Sequence, residues 1–326
     1  VYSIFSQLYI PRAVRLRSSR QPRRLRRPFA VFAMMCATVA IVMAVEAQTD
    51  PPPRTAPPAR APRILPTPAP LPLPSNLHIP VYKPGPIPFR DGETLLYRAS
   101  WLGVPAADAR VLVARNKQHP QWWTGVMWLN TSPVVDIVYR MRDVFRENFD
   151  YVSLQPNDIY IIQHEKERLD QWRVTFDHPD RLVTAIKTSR HGKVTTRRFS
   201  GGDPLGPFSG VMMALSQPLK PGDSPTFDVF SGGNRYVFSF KVIDRERITT
   251  ALGTFNTLKI EPWVLWLSEG SFRSQSRETT VWVTDDARHL PVRISSDVFF
   301  GEVYADLIEI SQGPSTTGAP KDAAKP

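Results

Sequence analysis

Gly233-Asn234-Arg235-Tyr236-Val237-Phe238-Ser239-Phe240-Lys241-Val242 decides the fold class. Tyr236, Phe238, Phe240 and Val242 alternate with Arg235, Val237, Ser239 and Lys241, the two-residue period of a strand with two unlike faces. After a polar step at 244–246, Arg247-Ile248-Thr249-Thr250 resumes extended chemistry, and Leu252-Gly253-Thr254-Phe255 turns the chain at a glycine free to take positive φ. Thr257, Leu258, Ile260, Val264 and Leu265 return as a second strand. A hairpin this long and apolar needs a sheet around it.

Outward from the hairpin, the pattern predicts strands over 93–101, 108–115, 121–130, 158–167, 170–176, 181–188, 193–199, 226–230, 271–284, 292–300 and 303–310. Tyr139, Met141, Phe145, Phe149 and Tyr151 share one strand parity. Short strands separated by turns such as His178-Pro179-Asp180 and His191-Gly192-Lys193 indicate an antiparallel meander. Ser132 and Pro133 suit the cap and first residue of a short helix. One longer helix is expected after Asp203 as cap and Pro204 in the first turn, with Leu205, Phe208, Met212 and Leu215 at helical spacing. The fold expected is all-β: one strongly curved antiparallel sheet, half-barrel or barrel-like, with that helix on its concave side.

The N-terminal 47 residues read differently. Arg is the only charged residue type before Pro28, and Phe29 to Val45 is an uncharged run of seventeen residues. Val45-Glu46-Ala47 then puts small or modest residues at the positions a signal peptidase reads. That is the layout of a secretory signal, with a retained inner-membrane anchor as the alternative. A Sec-type signal fits better than a twin-arginine one, because Arg26-Arg27-Pro28-Phe29 lacks the flanking residues of that motif. Residues 48–88 read as a linker. Fifteen of positions 51–88 are Pro, which favours an extended polyproline spacer. Residues 89–312 form the β-rich domain and 313–326 a disordered tail. The chain is expected in the periplasm, touching a membrane only through an uncleaved N-terminal segment.

The net charge of +11 invites a nucleic-acid reading, but its distribution removes it. Residues 1–47 carry +7 and 48–89 carry +3, whereas 90–312 hold 27 basic and 27 acidic side chains. A domain of zero net charge exerts no general pull on phosphate, so no nucleic-acid partner is expected. The single cysteine, Cys36, lies in the N-terminal apolar run, which excludes disulfides, thiolate catalysis and cysteine zinc sites from the domain.

Several short stretches follow one another in a familiar order: Gly92-Glu93-Thr94-Leu95-Leu96-Tyr97, Tyr139-Arg140-Met141-Arg142-Asp143, Asp203-Pro204-Leu205, Pro221-Gly222-Asp223 and Leu252-Gly253-Thr254-Phe255. Leu290-Pro291-Val292-Arg293 and Phe300-Gly301-Glu302-Val303 complete the series. In this order the chain resembles the bacterial domain-of-unknown-function family 3108 over about residues 89–311. The resemblance implies an exported, β-rich envelope protein and brings no activity with it.

The residues themselves offer little catalytic chemistry. His164, His178 and His191 have no metal-ligand spacing, and Asp285-Asp286 sits in hairpin-turn composition, so no metal site and no cofactor are expected. The candidate binding residues are aromatic and basic. Trp122, Trp123 and Trp128 cluster in one strand, and Trp263 and Trp266 in another. Adjacent Trp122 and Trp123 must point to opposite faces, and exposed aromatics stack on sugars or sit against lipid. Arg140 and Arg142 share a face and could hold an anionic head group if that face lines the hollow, or pair across strands if it faces solvent. The function expected is non-enzymatic binding of an amphiphile or glycan in a concave groove. The alternatives are a cell-wall polysaccharide hydrolase and an assembly factor that uses a sheet edge.

Overall fold

A computed structural model describes residues 65–70, 73, 77–268, 271–275, 279–297 and 302–312. The expected signal segment and the C-terminal tail lie outside the described residues. In chain order the strands are β1 (Ala69–Pro70), β2 (Glu93–Trp101), β3 (Val104–Arg115), β4 (Trp122–Thr131), β5 (Arg142–Asp150), β6 (Pro156–Glu165), β7 (Arg168–Asp177), β8 (Leu182–Ser189), β9 (Val194–Ser200), β10 (Thr226–Ser231), β11 (Asn234–Thr250), β12 (Gly253–Ser268), β13 (Ser271–Gln275), β14 (Thr279–Thr284), β15 (Pro291–Asp297) and β16 (Glu302–Gln312). Helix α1 (Pro133–Asp136) follows β4, and α2 (Pro207–Leu215) joins β9 to β10.

All sixteen strands form one sheet, in the order β1-β9-β8-β7-β6-β5-β4-β3-β2-β16-β15-β14-β12-β11-β10, with β13 beside β12. The ladder is antiparallel except at β1 and β9, so the expected curved all-β meander is the fold observed. The sheet is not closed. Its edges β9 and β10 meet through side chains: the Phe199 and Phe230 rings lie 5.2 Å apart, and Arg235 donates to the Gly201 carbonyl at 3.4 Å. Short backbone segments cover part of each edge. β1 lies on β9, and Leu205 exchanges backbone hydrogen bonds of 2.9 and 2.8 Å with Asp228 and Phe230 beside β10.

The hairpin β11–β12 pairs from Arg235–Leu267 to Thr250–Gly253, with one bulge between Val242 and Asp244. Gly253 turns it at φ 123°. The two faces of β11 differ less than the alternation predicts. Tyr236, Phe238, Phe240 and Val242 enter the core, yet Val237 and Ser239 are also fully buried. Ser239 donates to the Pro225 carbonyl at 2.8 Å, and buried Arg235 is clamped by Asp228 at 2.7 and 2.5 Å. Sheet curvature folds the neighbouring chain over what a flat sheet would leave wet.

Pro262 stands in mid-ladder, where a missing N–H should break the pairing. β12 pairs with β14 over 257–260 and with β13 over 264–268, so Pro262 falls where β12 changes partners. The same change divides the stretch 271–284, expected as one strand, into β13 and β14.

Helix α1 begins where the sequence placed it, with the Ser132 side chain accepting the Val135 N–H. Helix α2 begins three residues later than expected, with Gly206 as cap and Pro207 first. Leu205 is committed to the β10 edge and cannot enter a helix, and Asp203 sits 3.3 Å from His178 instead. Part of the Pro-rich stretch lies against the domain. The Tyr82 ring is 4.6 Å from Phe227, and the Gly85 N–H donates to Ser216 Oγ at 3.1 Å.

Candidate functional site

The concave side of the sheet is filled by α2, of which every residue except Val211 is buried. Its seat is set from the sequence upward. Gly125 on β4 lets the Phe208 ring approach so closely that a Cβ there would lie 2.7 Å from it, and Phe208 packs on Phe145 at 5.3 Å. Gly210 leaves room for Val229, since a Cβ would meet that side chain at 3.2 Å. The Glu147 carboxylate on β5, fully buried, accepts the Phe208 and Ser209 N–H groups at 2.7 and 3.0 Å. These are two of the donors that a helix start leaves unpaired. Burial pushes the Glu147 carboxyl up to about 7 against those hydrogen bonds, with the charge of Asp158 adding to the rise.

Beyond α2 the hollow keeps one apolar pocket of about 40 Å³. Val211, Ala214 and Leu215 of α2 form one wall; Phe238, Phe240, Ile260 and Pro262 of the long hairpin form another. Val281, Val283 and Pro291 close it. No polar side chain is among its lining residues.

A second part of the concave face is charged. Asp143 shares the inward parity of Phe145 and Glu147, and Asp170 that of Trp172 and Val174. Asp143 accepts the His164 N–H at 2.8 Å. The Tyr139 hydroxyl donates to Glu165 at 2.6 Å. Asp170 is held by Arg168 at 2.5 Å and by Lys187 at 3.3 Å, whose ammonium lies 5.3 Å from the Trp172 ring centre. Burial, then the nearby Glu165 charge, lifts Asp143 to about 7, and burial with the same carboxylate raises the Tyr139 hydroxyl as well. This wall can store a proton near neutral pH. Among the described residues no group of His, Cys, Asp and Glu is arranged to hold a metal ion.

A family profile described as "Protein of unknown function (DUF3108)" matches residues 96–308. The chain belongs to the DUF3108 family. The matched span runs from within β2 into β16 and takes in every strand of the sheet except β1, at least in part. No curated protein matches this DUF3108 chain significantly. The solved structures to which the chain is similar include the following three. A β-barrel-like protein of domain-of-unknown-function family 1849 from Brucella abortus is 8% identical, covers 68% of this chain and 98% of its own, and has a TM-score of 0.44. A Bacteroides fragilis protein described as exported, with a YmcC-like fold, is 12% identical over 71% of this chain and 100% of its own, at 0.28. A Parabacteroides distasonis protein described as a lipoprotein is 10% identical over 70% and 99%, at 0.30.

The residues singled out by sequence are dispersed across the DUF3108 domain rather than gathered. Trp123 is buried in the core, with the Arg115 guanidinium 5.8 Å from its ring centre. Trp122 stacks on His119 at 4.2 Å at the opposite end of the sheet from α1, and Trp128 is half-buried on the convex face. Trp263, 36% exposed, also faces outward, because Pro262 and Val264 take the inward positions. Trp266 stands opposite Tyr236 and Arg273 in the ladder. Arg140 is exposed, and Arg142 is bound to Asp136 opposite buried Met141. That face lies outside the hollow, so the two guanidiniums do not line it. The residues that do line it, Glu147, Asp143 and the α2 pocket, were readable only by following inward parity past the aromatic residues to the carboxylates between them.

Proposed function

We propose that this DUF3108 protein is an exported, non-catalytic cell-envelope protein that shelters the tail end of an amphiphile in the α2 pocket. The observation that carries the reading is the wholly apolar lining of that pocket, from Val211 to Pro291. Its volume admits a few methylenes, each worth about 0.8 kcal/mol on leaving water, and not a whole lipid. Export is supported by the N-terminal Arg-rich, then apolar, order and by the descriptions of two structural neighbours.

The test is native mass spectrometry of the full chain purified without detergent, followed by titration with a fluorescent fatty acid. Bound lipid-like mass and saturable binding are expected, and Ala214→Trp, which fills the pocket, should abolish both while the circular dichroism spectrum is kept. Binding that survives Ala214→Trp in a folded protein would place the ligand elsewhere and overturn the reading, as would a chain that takes up no amphiphile.

A further inference from the structure

One rim of the sheet is more apolar than its position in water explains. Leu102 and Val104, on the β2–β3 hairpin, are 59% and 50% exposed. Beside them, α1 presents Val134 at 62%, and the turn that follows it presents Ile137 at 86% and Val138 at 52%. The Ser132 N–H donates to the Ala106 carbonyl at 2.9 Å, which ties α1 to the hairpin. Exposed single apolar residues are ordinary, but five on two linked protrusions form a patch.

The patch is also held outward. Asp136 of α1 is bound by Arg142 and Thr131, while Val135 and Tyr139 pack on the core, and Tyr139 is fixed by Glu165. A helical turn pinned by its polar and inner residues cannot roll to bury Val134, Ile137 and Val138.

The charge beside the patch is positive. Arg140 and Lys166 are exposed and adjacent, since the Lys166 N–H donates to the Arg140 carbonyl at 2.8 Å. Lys193 is exposed on the β8–β9 turn of the same rim. Of the acids nearby, Asp136 is paired with Arg142 and Glu167 with Arg190 at 3.4 Å, while Glu165 accepts the Tyr139 hydroxyl and Glu302, beside the β2 end, is bound by the Ser295 and Tyr304 hydroxyls. Apolar tips backed by Arg140, Lys193 and Lys166, whose ammonium lies 5.3 Å from the Tyr139 ring centre, complement an anionic lipid surface, where side chains enter the acyl boundary and bases meet head groups.

We propose that this rim docks on an anionic lipid bilayer, with Val134 of α1, Ile137 and Val138 just after it, and Leu102 and Val104 of the hairpin entering the interface and Arg140 and Lys166 contacting phosphate. The inference rests on residues separate from the α2 pocket, so Ala214→Trp should leave it intact.

Hydrogen-exchange mass spectrometry of the full chain tests it, with phosphatidylglycerol-containing vesicles and with pure phosphatidylcholine vesicles. The readout is local because the N-terminal apolar run can hold the chain on either surface. Peptides over 100–106 and 132–141 should exchange more slowly on the anionic vesicles alone. Val134→Asp with Ile137→Asp should erase that protection without changing the thermal melt, since both side chains are solvated. Arg140→Glu with Lys166→Glu should weaken it by tenfold or more, on the order expected for lost head-group attraction. Exchange unchanged by anionic vesicles, equal protection on neutral ones, or protection that survives the double Asp variant would overturn the proposal. The first outcome would leave the patch to a protein partner.

Discussion

The concave face of this domain has two halves that solve burial in opposite ways. Around α2, the β10–β12 side is closed by rings and aliphatic chains, with Phe227, Phe238 and Phe240 at mutual ring distances of 5.9 to 6.4 Å. Across the hollow, on β5 to β8, Asp143, Glu165 and Asp170 take inward positions and are neutralised by Arg168, Lys187 and the Tyr139 hydroxyl. The apolar half supplies stability that does not depend on pH. The charged half supplies directional contacts whose strength follows protonation, and Glu147 joins the two by fixing α2 from the polar strands. Apolar burial tolerates a gap, hence the pocket; a buried carboxylate needs partners, which Glu147 finds in two α2 N–H groups and Asp170 in Arg168 and Lys187.

Substitutions should separate the halves. Phe208→Ala, which empties the contact between α2 and Phe145, should cost about 3–5 kcal/mol in denaturant unfolding at any pH. Asp170→Ala leaves Arg168 and Lys187 facing each other without an anion and should cost roughly 2–3 kcal/mol, less than a fully buried pair because Arg168 is partly solvated. A loss as large for Asp170→Ala as for Phe208→Ala would mean that the polar wall, and not the apolar basin, holds the sheet together.

The pH dependence distinguishes them further. Glu147 and Asp143 both sit near 7 in the folded domain and near 4 when unfolded. Between those values the folded state binds more protons, so stability falls as pH rises from about 4.5 to about 7 and levels off above that. The Glu147 contribution is on the order of 3 kcal/mol. Glu147→Gln keeps a shape that can accept one α2 N–H and should flatten its share of the slope in melts taken from pH 5 to pH 8. An unaltered slope would assign the effect to Asp143 alone. The smallest effect is expected on the convex side: Arg98→Ala breaks an exposed pair with Asp108 at 2.9 Å and should change stability by less than about 1 kcal/mol.

Much of the architecture was legible because it rests on local period. Alternation located the β11–β12 hairpin, and Ser132-Pro133 located α1, since cap and first-turn chemistry act within a few residues. The start of α2 was misplaced for the opposite reason: Leu205 is claimed by a strand more than twenty residues away. The same holds for the site. Tryptophan draws attention in a sequence, yet Trp122, Trp128 and Trp263 cover the outer faces and Trp123 fills the core. Asp143 and Glu147 carried the better signal, two carboxylates at the parity of Phe145 and Phe149, but only curvature shows that this parity faces a filled hollow.

The pairing of β16 with β2 sets the order in which the molecule can be assembled. Val303 lies opposite Trp101, so about two hundred residues separate partners at the centre of the sheet. The β2 flank stays without its neighbour until the last strand has arrived, however early the β2–β9 meander forms. Folding should therefore be slow for the domain's size, as expected when contacts are distant in sequence. During that wait an open strand flank is a hazard for self-association. Delivery of the whole chain before any of it sets would remove the hazard, and a nascent fragment ending before Glu302 should aggregate where the complete chain does not.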